Sequence, residues 1–170
     1  MSFDGRDTIV LFDELAYEDV LALAWHPRSK DFDERAAAHL AEQNLRLLQA
    51  FDALEEDFKI NLLLDLVGEL LAASHTRPRA QSVRFNALGA SWSAGTNDVL
   101  PAIGAHGLLQ LYLRDTLVKP LTLPARIASV DAGGQVRATF EMVGELTAEH
   151  LEKIVFRNHR RKIAGARVAR

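Results

Sequence analysis

The chain contains no cysteine. That absence excludes disulfides, thiolate metal sites and a cysteine nucleophile together. No apolar run approaches the ~18–20 residues that cross a bilayer as a helix. The opening residues Met1-Ser2-Phe3-Asp4-Gly5-Arg6-Asp7 place acids ahead of the apolar stretch at 9–12, the wrong flank for a secretory signal. The expectation is a cytoplasmic protein with no membrane insertion. Catalytic signatures are missing as well. There is no G-x-x-x-x-G-K-[ST], G-x-G-x-x-G, H-E-x-x-H or G-x-S-x-G. The histidines at 26, 39, 75, 106, 150 and 159 show no recognised ligand spacing. No metal and no cofactor is expected, and the chain is read as non-enzymatic.

What is present is ordinary globular composition: 170 residues, 48% hydrophobic and 25% charged, enough for one domain with an appendage. The charge is unevenly spread. Residues 153 to 170 hold Lys153, Arg157, Arg160, Arg161, Lys162, Arg167 and Arg170 and no acid, which leaves −10 on residues 1 to 152 against −3 for the whole. A basic tail on an acidic body suggests a local contact with an anion or a second molecule, and argues against a nucleic-acid partner.

Three segments are expected. Residues 1–30 are read as an N-terminal segment associated with the main domain. Tyr17 to Trp25 is Ala/Leu-rich and stops at His26-Pro27; short helix and buried strand both remain open for it. Residues 31–76 are read as a long oligomerising helix. Asp31 and Glu34 have capping-box spacing, no Gly or Pro occurs before Gly68, and the stop falls at His75-Thr76-Arg77-Pro78. Apolar positions Ala37, Leu40, Leu47, Phe51, Leu54 and Phe58 form a heptad ladder of the coiled-coil kind, with Asn44 in the missing slot. Beyond Phe58 the line runs through Leu62, Leu66, Leu70 and Ala73 in steps of four, a stutter. About 42 helical residues would make a rod of roughly 63 Å, which a small domain cannot cover. Self-association through Leu40, Asn44, Leu47, Phe51, Leu54, Phe58, Leu62, Leu66 and Leu70 follows. The alternative is a broken helix packed on its own barrel, folded back near Glu55-Glu56-Asp57, where no Gly, Pro or Asn-Gly supplies a hinge and the acids read as a solvated helix face or loop. Leu62-Leu63-Leu64 and Leu66-Val67 make the second half apolar on more than one face, which favours more than two strands.

Residues 77–170 change period from helical to two. Val83 and Phe85, Ala90 and Trp92, Leu109, Leu111 and Leu113, residues 121–130, and Val136, Ala138, Phe140 and Met142 alternate between turns such as Asp131-Ala132-Gly133-Gly134. Short punctuated strands suggest a small antiparallel barrel. Thr147 is placed as the cap of a last helix, residues 148 to 162, with Leu151, Ile154 and Val155 inward. Trp25 and Trp92 are read as core or interface anchors. Ser91 and Ser93 are read as small residues on a strand. Arg77, Arg79 and Arg84 at the junction of rod and barrel suit phosphate recognition or a solubilising linker.

Residues ~80 to 162 resemble a PilZ domain, the small bacterial β-barrel known as a cyclic di-GMP receptor. The resemblance rests on Leu123-Pro124-Ala125-Arg126-Ile127-Ala128-Ser129-Val130, the Gly133-Gly134 turn, Val136-Arg137-Ala138-Thr139-Phe140, and Ile154-Val155-Phe156-Arg157-Asn158-His159-Arg160-Arg161. Leu21-Ala22-Leu23-Ala24-Trp25-His26-Pro27 followed by a long helix resembles the N-terminal extension of PilZ-like proteins of plant-pathogenic bacteria, whose inserted helices assemble a tetramer. The resemblance implies an α+β fold: a small antiparallel PilZ-like β-barrel with a long heptad-bearing helix N-terminal to it and a C-terminal helix, as a homotetramer.

The family's ligand motifs are altered here. An R-x-x-x-R pair is replaced by Arg77-Pro78-Arg79, two apart instead of four. In [D/N]-x-S-x-x-G, aligned on Arg84-Phe85-Asn86-Ala87-Leu88-Gly89, only Gly89 matches. The implied role is an oligomeric scaffold or adaptor in bacterial cyclic di-GMP-related signalling (motility, pili or virulence), contacting an unknown protein partner and not itself binding cyclic di-GMP. The alternative is a divergent cyclic di-GMP receptor using Arg77, Arg79 and Arg84, with Asn86 and Gly89 in the pocket.

Overall fold

The computed structural model describes residues 15–115 and 117–168, without the side chains of Leu54, Glu55, Glu56 and Ala72. The apolar stretch at 9–12 and Arg170 lie outside the described residues, as does the Leu54 side chain. Six strands close into a barrel: β1 (Tyr17–Pro27), β2 (Ala80–Phe85), β3 (Gly89–Ser93), β4 (His106–Tyr112), β5 (Leu121–Val130) and β6 (Gln135–Phe140). Their order around the barrel is β1-β2-β3-β6-β5-β4, and every pairing is antiparallel. The alternation seen in the sequence sets the register. Leu21, Leu23, Val83, Phe85, Ala90, Trp92, Leu109, Leu111, Leu121, Leu123, Ala125, Ile127, Val136 and Ala138 are buried, one inner set of every-second residues from each strand.

The segment left open between helix and strand is β1. It pairs with β2 through its first half and with β4 through its second, so it closes the barrel. Trp25, half-buried, lies over Gly107, where a Cβ would meet the indole 2.2 Å away; its ring stands 6.1 Å from that of Trp92. At the β5–β6 turn the Asp131 carboxylate accepts from the amides of Gly133 and Gln135, both at 2.9 Å, and Gly134 takes φ +80°. Met142, expected to continue the β6 alternation, lies past the strand end with φ 49°.

Among the described residues three helices accompany the barrel: α1 (Glu34–Glu56), α2 (Phe58–Ala72) and α3 (Glu145–Val168). The single rod expected over 31–76 is therefore two helices. Asp57 divides them. Its backbone is extended (φ −123°, ψ 109°), and its carboxylate accepts from the amides of Lys59 (2.9 Å) and Ile60 (3.4 Å) as the N-cap of α2. Aspartate competes for backbone donors and so starts helices better than it continues them. At the start of α1 the cap is Asp33, which accepts from Ala36 N at 2.8 Å, and not Asp31. Thr147 is likewise not a cap: it is buried inside α3 and its hydroxyl donates to Ala41 O on α1 at 3.3 Å. Leu151, Ile154 and Val155 are buried as expected.

α1 is built into the domain. Ala37, Leu48 and Phe51 are buried, facing β5 and α3. The Asn44 amide donates to Thr122 O (2.7 Å) and accepts from Thr122 N (3.1 Å). It thereby satisfies both backbone groups of one β5 residue. Asp52 binds Arg157 at 2.9 Å and lies 3.5 Å from His150, tying α1 to α3.

Candidate functional site

Two surfaces hold the residues singled out in the sequence. On α2, Leu64 packs against the core, Gly68 is buried, and Asn61 Oδ1 accepts from Arg114 at 3.3 Å. These lie on one side of the helix. The rest is uncovered: Phe58 (79% exposed), Ile60, Leu62, Leu63, Leu66, Val67 and Leu70 (77% exposed). At 100° per residue these seven occupy an arc of about 200°, twice the stripe that one neighbouring surface needs. Burying them would be worth on the order of 1 kcal/mol apiece.

The nine positions expected on a self-association seam thus separate. Asn44 and Phe51 are buried within the chain, and Leu47 packs on its core. For these three the expected seam is corrected to an intramolecular contact, because the barrel and α3 already cover them. Leu40 is half-buried. Phe58, Leu62, Leu66 and Leu70 are exposed. Ile60, which fits no heptad slot, joins them; a helical wheel started at Phe58 instead of Asp31 finds it.

The second surface is the outer face of β1–β2–β3–β6. Glu18 pairs in register with Arg84, Arg84 with Ser91, and Ser91 with Arg137. This row lines a groove of about 320 Å³ together with Ser82, Ser93 and Gln135. Arg84 Nε lies 3.3 Å from Glu18, which also meets Lys162 at 3.3 Å. Ser91 is outward-facing yet buried beneath this row. Arg137 escaped notice in the sequence because its neighbour Arg84 lies 53 positions away and only strand pairing joins them.

The three linker arginines do not converge. Arg77 donates to the carbonyls of Arg114 (3.2 Å), Leu117 (3.3 Å) and Asp115, and its guanidinium sits 5.6 Å from the Tyr112 ring centre. It clamps the β4–β5 connection. The Arg79 guanidinium lies against Gly95. Arg79 and Arg84 are an odd number of residues apart along one extended segment, so their side chains leave on opposite faces. Asn86 is buried and accepts from the amides of Leu88 (2.8 Å) and Gly89 (3.1 Å), forming the β2–β3 turn. Gly89, the one motif match, and Asn86, which stands in the motif's serine position, are thus bonded to each other in a turn.

Among the described residues no group of His, Asp and Glu could hold a metal ion, and no helix is long and apolar enough to cross a membrane.

The family model described as "Atypical PilZ domain, cyclic di-GMP receptor" matches residues 31–168. No curated protein matches the chain. A solved structure of a pathogenic protein from Xanthomonas campestris is similar over 95% of this chain and 97% of that one, at 26% identity and a TM-score of 0.70. That protein is described as a new tetrameric PilZ domain self-assembled via an unusual helical bundle.

Proposed function

We propose that this chain, which belongs to the atypical PilZ family, is a non-enzymatic, self-assembling adaptor whose copies join through α2. The observation that carries the reading is the arc of seven exposed apolar side chains on a 15-residue helix. An arc of about 200° exceeds what a two-helix seam buries, so each α2 meets at least two others. A homotetramer satisfies this, and the similar Xanthomonas protein is tetrameric. Several barrels held on one bundle present repeated copies of the same outer surface, which raises apparent affinity for a repeated protein partner without any new contact. Cyclic di-GMP signalling in motility, pili or virulence is the setting the family suggests.

The altered motifs support an adaptor that does not itself take up the nucleotide. Arg77 is spent on three carbonyls, Asn86 on a turn, and Arg79 faces away from Arg84. A second reading rests on a separate observation. The groove lined by Arg84 and Arg137, on either side of Ser91, is polar and open, and guanidiniums bind phosphates. Titration calorimetry with cyclic di-GMP decides between them. The adaptor gives no binding heat in the micromolar range. Micromolar binding that is lost in Arg84→Ala would replace the adaptor with a divergent receptor.

A further inference from the structure

The exposed side of α3 carries an ordered row of side chains, in which the Arg160 guanidinium lies 5.9 Å from the Phe156 ring centre. Phe156, 55% exposed, is its midpoint. Toward the N-terminus the same face carries Glu152, Glu149 and Glu145; toward the C-terminus it carries Arg160, Ile163 and Arg167, all exposed. The steps from 145 to 167 are four, three, four, four, three and four residues. That averages about 3.67 residues per turn against the helix's own 3.6, so the line drifts by only about 40° around α3 over its length. It is about 33 Å long. The buried residues of α3 end at Val155 and residues 160–168 are exposed, although Lys162 still reaches Glu18 on β1 at 3.3 Å.

The spacing is symmetric about Phe156. Turned by 180° around that residue, Glu152 falls opposite Arg160, Glu145 opposite Arg167, Phe156 opposite itself, and Glu149 opposite Ile163, the one pair that is not of opposite charge. An antiparallel pair of such helices makes four Glu–Arg contacts around an aromatic centre. A parallel pair would set glutamate on glutamate and arginine on arginine. The helix dipole accounts for an acid at Glu145 and a cation at Arg167, in the end turns. It does not reach Glu149, Glu152 or Arg160, which lie inside. Beside Phe156 runs a groove of about 730 Å³ over Ala87, Leu88 and Val155, room for side chains from the other helix.

We propose that this face is a second self-interface: α3 of one copy pairs antiparallel with α3 of another about a two-fold axis at Phe156. The occupant is another copy of this chain because the face is the charge complement of itself. Its apolar content is small, centred on Phe156 and Ile163, so the contact belongs to the weak class. Pairing through α3 does not require the α2 contact. Where both operate, α3 links one α2 bundle to the next.

The cysteine-free sequence allows a direct test with single-cysteine variants of the full chain under mild oxidation, repeated in a Leu66→Asp background that removes the α2 contact. Phe156→Cys is expected to form a disulfide-linked dimer in both backgrounds. Glu145→Cys alone and Arg167→Cys alone stay unlinked, since their own mates lie about 33 Å away, while a mixture of the two cross-links. Glu152→Arg or Arg160→Glu added to Phe156→Cys slows linkage roughly tenfold, and both together restore it. Self-linkage of Glu145→Cys as fast as that of Phe156→Cys overturns the pairing. So does the absence of linkage at 156 and in the 145–167 mixture, the outcome if another kind of partner occupies the face.

Discussion

Helices α1 and α2 are separated by one residue, and both draw on the same apolar alphabet, yet their environments are opposite. α1 has a strand to grip through Asn44 and a helix to pack on through Asp52 and Thr147, and its Leu48 and Phe51 are buried. α2 has Leu64, Gly68 and the Arg114–Asn61 bond on one side and seven exposed apolar side chains on the other. Periodicity marks which face of a helix is apolar. It does not mark what covers that face. Here the cover is the chain itself for one helix and, in the assembly proposed above, other copies for the next.

Four substitutions break or sharpen this contrast, in descending order of effect. Leu66→Asp puts an unpaired charge into the proposed bundle, which costs several kcal/mol per buried ion. Sedimentation should then find single chains of 18.8 kDa with an unchanged barrel by circular dichroism. Phe51→Ala acts on the other side of the contrast. It removes a core ring and should destabilise the domain by about 3–5 kcal/mol in chemical denaturation. Asn44→Leu leaves both backbone groups of Thr122 without their partner, at about 1–3 kcal/mol. Its oligomeric mass should match the parent's; a change of mass would return Asn44 to the seam. Asp57→Ala removes the α2 cap and should cost roughly 1 kcal/mol, seen as a small drop in melting temperature.

Much of this contrast was out of reach in the sequence, for identifiable reasons. The barrel was legible because its inner positions alternate strictly and its turns carry glycine and aspartate; Val83, Phe85, Leu109, Leu111, Val136 and Ala138 fall where the period of two puts them. The β1 segment was not, because Leu21, Ala22, Leu23 and Ala24 suit helix and strand alike. The break at Asp57 was hidden because no glycine or proline marks it; the signal was an aspartate after two glutamates, which caps the second helix. Asn44 in a heptad slot looked like a seam residue, and only the path of β5 shows that its partner is Thr122. At the nucleotide motif the sequence showed that residues had changed. It took the coordinates to show what they do instead: Arg77 clamps the β4–β5 connection and Asn86 folds a turn.

The claim that other copies cover α2 is tested most directly by the mass of the unmodified protein in solution. Multi-angle light scattering at tens of micromolar should report three or more chains of 18.8 kDa, four in the arrangement proposed. A single chain at that concentration would leave the α2 face bare and contradict the account.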